Sequence, residues 1–176
     1  MKSQLVRSFA ILAASILVPG AVSAQGQPPA NPLDTIPEKM PFDIAYGAPV
    51  SLDRAEAAIG AAVAEAKKRG WKLGVAVVDS GGNLVAFQRM DGAAISTVKI
   101  AQHKASASAE FRRETKVFET GVQAGFNYLL TLDGIVAARG GIPLIEAGKV
   151  VGAIGCSGGT GSQDEVACKA GAETVK

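Results

Sequence analysis

The chain has 176 residues, 48% apolar and 19% charged, with 18 Lys and Arg against 16 Asp and Glu. That length can bury a sizeable core in one domain, and a net charge of +2 leaves no electrostatic footprint for nucleic acid. One histidine and two cysteines, with no C-x-x-C or H-x-x-x-H spacing, argue against a closed zinc site.

Lys2 and Arg7 precede an apolar run over residues 9–22, and Val22-Ser23-Ala24 supplies small residues before Gln25. This pattern predicts a secretion signal over 1–24. The run is about 14 residues long and broken by Pro19-Gly20, which is short for a membrane span. The expectation is a periplasmic or secreted protein with no stable membrane insertion once the signal is removed. A retained anchor is the alternative. Loss of the signal removes two cations and leaves 16 basic residues facing 16 acidic ones.

Residues 25–50 hold Pro28, Pro29, Pro32, Pro37, Pro41 and Pro49, which predicts an extended arm, either disordered or laid on a neighbouring surface. Ile36, Met40, Phe42 and Ile44 favour docking, with a subunit boundary among the surfaces open to it. The domain proper is expected over 51–176. Ser51 is placed to cap a helix whose apolar positions Leu52, Ala55, Ile59, Val63 and Ala66 follow helical spacing, and Gly70 ends it.

Residues 73–78 and 83–87 are β-rich and joined at Asp79-Ser80-Gly81-Gly82, which reads as a hairpin. Residues 93–111 are alanine-rich and free of Gly and Pro, so a long helix follows. A shorter helix is expected over 118–130, weakened by Gly121 and Gly125, then a short strand over 135–138. Leu144-Ile145 and residues 150–154 form a second hairpin around Glu146-Ala147-Gly148-Lys149. A glycine-rich loop, Ser157 to Gly161, then opens a last helix near Ser162. The element order predicts an α+β domain with one mainly antiparallel five-stranded sheet flanked by helices.

The glycine-rich loop turns backbone N–H groups, those of Gly158 and Gly159 among them, toward one point at a helix start, a setting that can receive an anion. The plainer reading is a tight strand-to-helix turn. Gly155-Cys156-Ser157-Gly158-Gly159 fits the G-x-S-x-G expression, but the only histidine lies upstream of the serine, against the order of that fold, and the chain is small for it. No P-loop spacing is present. Cys156 and Cys168 are either bridged, as an oxidising compartment would favour, or two buried thiols.

His103 is the one strong neutral nitrogen ligand or near-neutral acid–base group. Its helical neighbours Ser96, Lys99, Ile100, Ala107 and Glu110 make a mostly polar stripe, so an exposed surface histidine is the plain alternative. Arg89, at the end of the first hairpin, can clamp a carboxylate or simply pair with a nearby acid. Lys104 is a second candidate cation. Asp53 and Glu56 share a helix face and read as solvated surface.

Val77-Val78-Asp79-Ser80-Gly81-Gly82-Asn83-Leu84 with Arg89-Met90-Asp91-Gly92-Ala93, Lys104-Ala105 with Phe111-Arg112-Arg113 and Thr115, and the stretch 140–165 together resemble the GlcG/HbpS family, also found as the C-terminal domain of PduO-type proteins. The matching stretches span most of the domain in order. The resemblance implies a profilin-like sandwich, a homo-oligomer, and, for some members, haem binding linked to sensing outside the cytoplasm. Taken with the residues above, it leads to an expected ligand set of Arg89, Lys99, His103, Lys104, Phe111, Gly158 and Gly159, with His103 on the haem iron as a hypothesis that is not a family rule. The chain departs from the family pattern at Ala107, where a threonine is frequent, and His103 is available in its place.

Three functions follow as expectations. The first is an exported small-ligand-binding protein, with haem as the ligand. The second is a cofactor-free enzyme acting on a small hydroxy- or keto-acid, with His103 or Lys104 as base and Arg89 as clamp. The third is an accessory structural subunit.

Overall fold

The computed structural model describes residues 36–176. The expected secretion signal over 1–24 and the first part of the proline-rich arm lie outside the described residues. Nine elements follow in chain order: α1 (Leu52–Lys68), β1 (Gly74–Asp79), β2 (Leu84–Arg89), α2 (Thr97–Glu110), α3 (Lys116–Gln123), a 3-10 helix (Asn127–Thr131), β3 (Gly141–Glu146), β4 (Lys149–Ser157) and α4 (Gly161–Ala172). The sheet is antiparallel throughout, in the order β2-β1-β4-β3.

Period-two alternation along β1 divides the core between the two sheet faces. Val75 and Val77 join Leu144, Ile154 and Cys156 under α1 and α4. On the opposite face, Ala76, Val78 and Ala153 meet Ala101, Ala105 and Ala109 of α2. The second face is built from small residues, so α2 lies very close to the strands. A Cβ on Gly155 would collide with the Ala101 carbonyl and the Ala105 amide, and one on Gly141 with the Lys104 carbonyl.

The sheet has four strands, a correction to the five expected. Residues 135–138 form none, because the place beside β3 is closed. Thr115 donates its backbone N–H to the Gly141 carbonyl at 3.0 Å, and its hydroxyl accepts the Gly141 N–H at 2.9 Å. Two positions on, Pro143 has no N–H to offer. The helix expected over 118–130 is also divided: α3 stops before Gly125, whose φ of +93° a helix cannot contain, and a 3-10 turn follows. The long helix begins at Thr97 rather than residue 93, since the turn at Asp91-Gly92 continues through Ala93, bonded to the Met90 carbonyl.

The second half of the arm docks on its own chain. Val150 donates to the Ala45 carbonyl and accepts from Gly47, while Val50 donates to Val151, so the arm runs beside β4 where β1 has ended. Tyr46 Oη donates to the Glu110 carbonyl at 2.7 Å, at the end of α2. The β3–β4 turn places Ala147 (φ +48°) and Gly148 (φ +73°) between the strands, both left-handed as a type I′ turn requires. Cys156 and Cys168 are joined by a disulfide with Cα atoms 5.7 Å apart, which pins α4 to β4.

Candidate functional site

The residues singled out by the sequence are distributed over separate places. Lys104 lies on the buried side of α2, where Nζ donates to Asp164 Oδ2 at 2.8 Å and to the Cys156 carbonyl at 3.1 Å. Burial pushes the Asp164 carboxyl up, against the opposing pull of Lys104 and the Gly159 amide. The ammonium is occupied and out of reach of solvent, so Lys104 is neither a free base nor a ligand clamp.

The glycine-rich loop is likewise already satisfied. The Gly159 N–H donates to Asp164 Oδ1 at 3.0 Å, so the anion at this turn is the chain's own carboxylate. Thr160 caps α4: its hydroxyl accepts from the Gln163 amide, and Gln163 Oε1 accepts from the Thr160 N–H at 2.8 Å. Gly158 packs its Cα toward the Lys72 carbonyl and Leu73, leaving no room for a Cβ. Its glycine serves close packing of the loop.

His103, by contrast, is exposed on the outer face of α2. It lines a cavity of about 420 Å³ with Ser106, Glu110, Asp133, Ile135 and Val136. Ser106 anchors that wall, its hydroxyl donating to the Gly82 carbonyl at 3.0 Å. Lys99 and Ile100, one turn earlier, share the outward stripe and are exposed with it. Arg89 is elsewhere: it lines a different cavity, about 370 Å³, with Lys67, Trp71, Lys72, Met90 and Asp91. Phe111 sits edge-on to Phe118 with centroids 5.2 Å apart and supports the fold at the end of α2.

Asp164, in the first turn of α4, was not singled out by the sequence, yet it is the counter-ion of Lys104. A lysine at a helix position flanked by buried alanines is the signal that demands such a carboxylate. Also unforeseen is a charged seam. Arg139 bonds to Glu119 Oε1 at 2.7 Å and approaches Glu165 at 3.5 Å, and Lys169 and Lys116 also reach Glu165. Among the described residues no group of three or more His, Cys, Asp and Glu side chains is arranged to hold a metal ion, and no helix is long and apolar enough to cross a membrane.

Comparison with known proteins fixes the lineage. The family model described as "Haem degrading protein HbpS-like" matches residues 50–173. The chain belongs to the HbpS-like family. It is 41% identical to Protein GlcG of Escherichia coli strain K12 over 108 residues, which are 61% of this chain and 81% of that protein. Among solved structures, a double mutant of Streptomyces reticuli HbpS superposes with a TM-score of 0.69 at 29% identity, covering 85% of this chain and 99% of that one. A structure described as a PduOC:heme complex gives a TM-score of 0.67 at 25% identity, covering 73% and 96%. HbpS-like membership accounts for the matching stretches along the sheet and α2, but the GlcG name carries no specific activity.

Proposed function

We propose that this HbpS-like chain is an exported haem-binding protein, with His103 supplying the iron's nitrogen ligand. The observation that carries the reading is the imidazole itself. His103 is the sole histidine, and it stands exposed beside a cavity on the outer face of α2, while the neighbouring Lys104 is consumed inside the fold.

The donor set fits the group. A protein-bound haem needs an accessible axial ligand, apolar contact and cations for its propionates. On α2 these are His103, Ile100 and Lys99, with Ile135 and Val136 on the facing segment. Glu110 and Asp133 repel carboxylates, which leaves Lys99 as the cation for the propionates. Haem would supply iron-centred ligand and redox chemistry. The protein's part is to hold the imidazole: the alanine and glycine face beneath α2 fixes the helix, and Ser106 ties it to the β1–β2 turn. A homo-oligomer in which a second subunit covers this open stripe belongs to the same proposal, as does a periplasmic or secreted address.

The enzyme reading loses its machinery, since Arg89, His103 and Lys104 do not face one cavity. Haem titration of the full chain is the test. A saturable Soret shift is expected, lost in His103→Ala and weakened in Lys99→Ala. A shift unchanged by His103→Ala removes His103 as the ligand, and no shift at all removes haem.

A further inference from the structure

A third cavity lies between α3 and the 3-10 helix. At about 490 Å³ it is larger than the His103 and Arg89 cavities and within the range of small-molecule sites. Phe118, Gly121, Phe126 and Leu129 give it apolar walls, and Arg113 and Tyr128 stand among them. None of these residues belongs to the His103 cavity.

Arg113 is the informative residue. Its guanidinium carbon lies 3.6 Å from the centroid of the Phe42 ring and 5.6 Å from that of Phe118, so aromatic rings hold the group in place. Its Nε donates to the Phe111 carbonyl at 2.9 Å. Among the described residues no carboxylate pairs with it, unlike Arg54, Arg69 and Arg139. A half-buried guanidinium, held by its Nε, with the remaining N–H groups unassigned and an apolar cavity beside it, is a two-point receptor for a carboxylate. Tyr128 Oη makes no hydrogen bond to a described residue and is available as a further donor.

The backbone holds Arg113 in place. Among the described residues, the non-glycine positions with positive φ are Phe42, Arg112 and Ala147. Ala147 serves a hairpin turn. Arg112 is the left-handed residue that closes α2, its N–H donating to the Ala109 carbonyl and that of Arg113 to the Ser108 carbonyl, so the helix end fixes Arg113. Phe42 lies in a turn and stacks on the Arg113 guanidinium. Arg112 also bonds to the Ile44 carbonyl at 2.9 Å, tying down the segment that carries Phe42.

From this geometry we infer that the cavity between α3 and the 3-10 helix binds an amphipathic monocarboxylate, a medium-chain aliphatic or an aryl-alkyl acid. The carboxylate is paired to Arg113 and hydrogen-bonded by Tyr128, and the apolar tail lies against Phe118, Phe126 and Leu129. The inference is independent of haem binding.

Calorimetric titration of the full chain with decanoate, and with decanol as the uncharged probe of equal length, tests it. Saturable decanoate binding is expected, about ten- to a hundredfold tighter than decanol, as loss of a charge-assisted hydrogen bond implies. Tyr128→Phe should weaken decanoate several-fold and leave decanol unchanged. Arg113→Lys should weaken decanoate through loss of the two-point contact. Because Arg113 also supports Phe111, a comparison on the unaltered protein carries the weight: equal affinities for decanoate and decanol, or no saturable binding of decanoate, overturn the inference. Decanoate binding that Leu129→Trp, which fills the cavity, leaves intact overturns the assignment to this site.

Discussion

Lys104 Nζ donates to Asp164 Oδ2 at 2.8 Å, with both side chains only 4% exposed. The pair connects the middle of α2 to the first turn of α4, and through Gly159 it also closes the glycine-rich loop. Two charges so far from water are tolerated because each is matched, and neither is tolerated alone.

Lys104→Met and Asp164→Leu, which removes every hydrogen bond of the carboxylate, should therefore each cost about 3–5 kcal/mol, by stranding the remaining partner. The double replacement Lys104→Met with Asp164→Leu should recover much of that loss. Urea denaturation of the three variants checks it. Single costs below about 1 kcal/mol would show that the pair does not hold α4 in place.

Both halves of the Cys156–Cys168 bridge are fully buried. Reductant should act slowly on the folded protein and readily once it is unfolded. The short loop it closes implies a loss of about 3 kcal/mol on removal. Thiol labelling with and without urea, alongside the stability of Cys156→Ala/Cys168→Ala, measures both.

Acid should weaken the seam around Glu165. Hydrogen bonding to Arg139 holds the Glu119 carboxyl below its usual range despite partial burial. Burial raises that of Glu165, but Lys169 and Lys116 outweigh it and bring it down. Depressed carboxyls contribute stability that is present above the unfolded value, about 4.3, and lost as pH falls through the lower folded values. Asp164, raised by burial, takes up its proton first in the folded state and offsets part of that loss. Denaturation midpoints should fall below about pH 4.3, and Arg139→Gln should flatten that decline. An unchanged slope in the variant would remove the seam as its source.

Ala147→Asn should stabilise the protein by about 0.5–1 kcal/mol. Ala147 is held at φ +48°, where an ordinary residue loses about 1–2 kcal/mol and asparagine less. A higher urea midpoint at unchanged slope is the expected readout.

Gly155→Ala should be the severest small substitution. Its methyl would meet the Ala101 carbonyl and Ala105 amide, forcing α2 from the sheet at a cost of about 1–3 kcal/mol or more. Because His103 rides on α2, haem affinity should fall with stability in this variant. Retention of both would show that the helix has room to move.

The hairpins, α1 and α2 were legible because their signals are local: helical spacing from Leu52 to Ala66, Gly70 at the stop, Asp79 to Gly82 at the turn. The missing fifth strand was not legible. Residues 135–138 have strand-like composition, but the position they would take is closed by Thr115, twenty-six residues from Gly141 along the chain. At the site, the sequence brought forward His103 and Lys104 as neighbours. A helix separates adjacent residues by about 100°, and that rotation sends one to solvent and the other to Asp164. Arg113 stood out only as part of a matching stretch, because what defines its setting, the rings of Phe42 and Phe118, comes from other segments.

The two borders of the sheet are unequal. On β3, Gly141 has its outward groups taken by Thr115 and Pro143 has no hydrogen to give, so another strand cannot zip along that border. β2 has no such guard among the described residues. Any joining of copies through continuous β-structure must run through β2, and the native protein carries its protection against uncontrolled stacking on one side only.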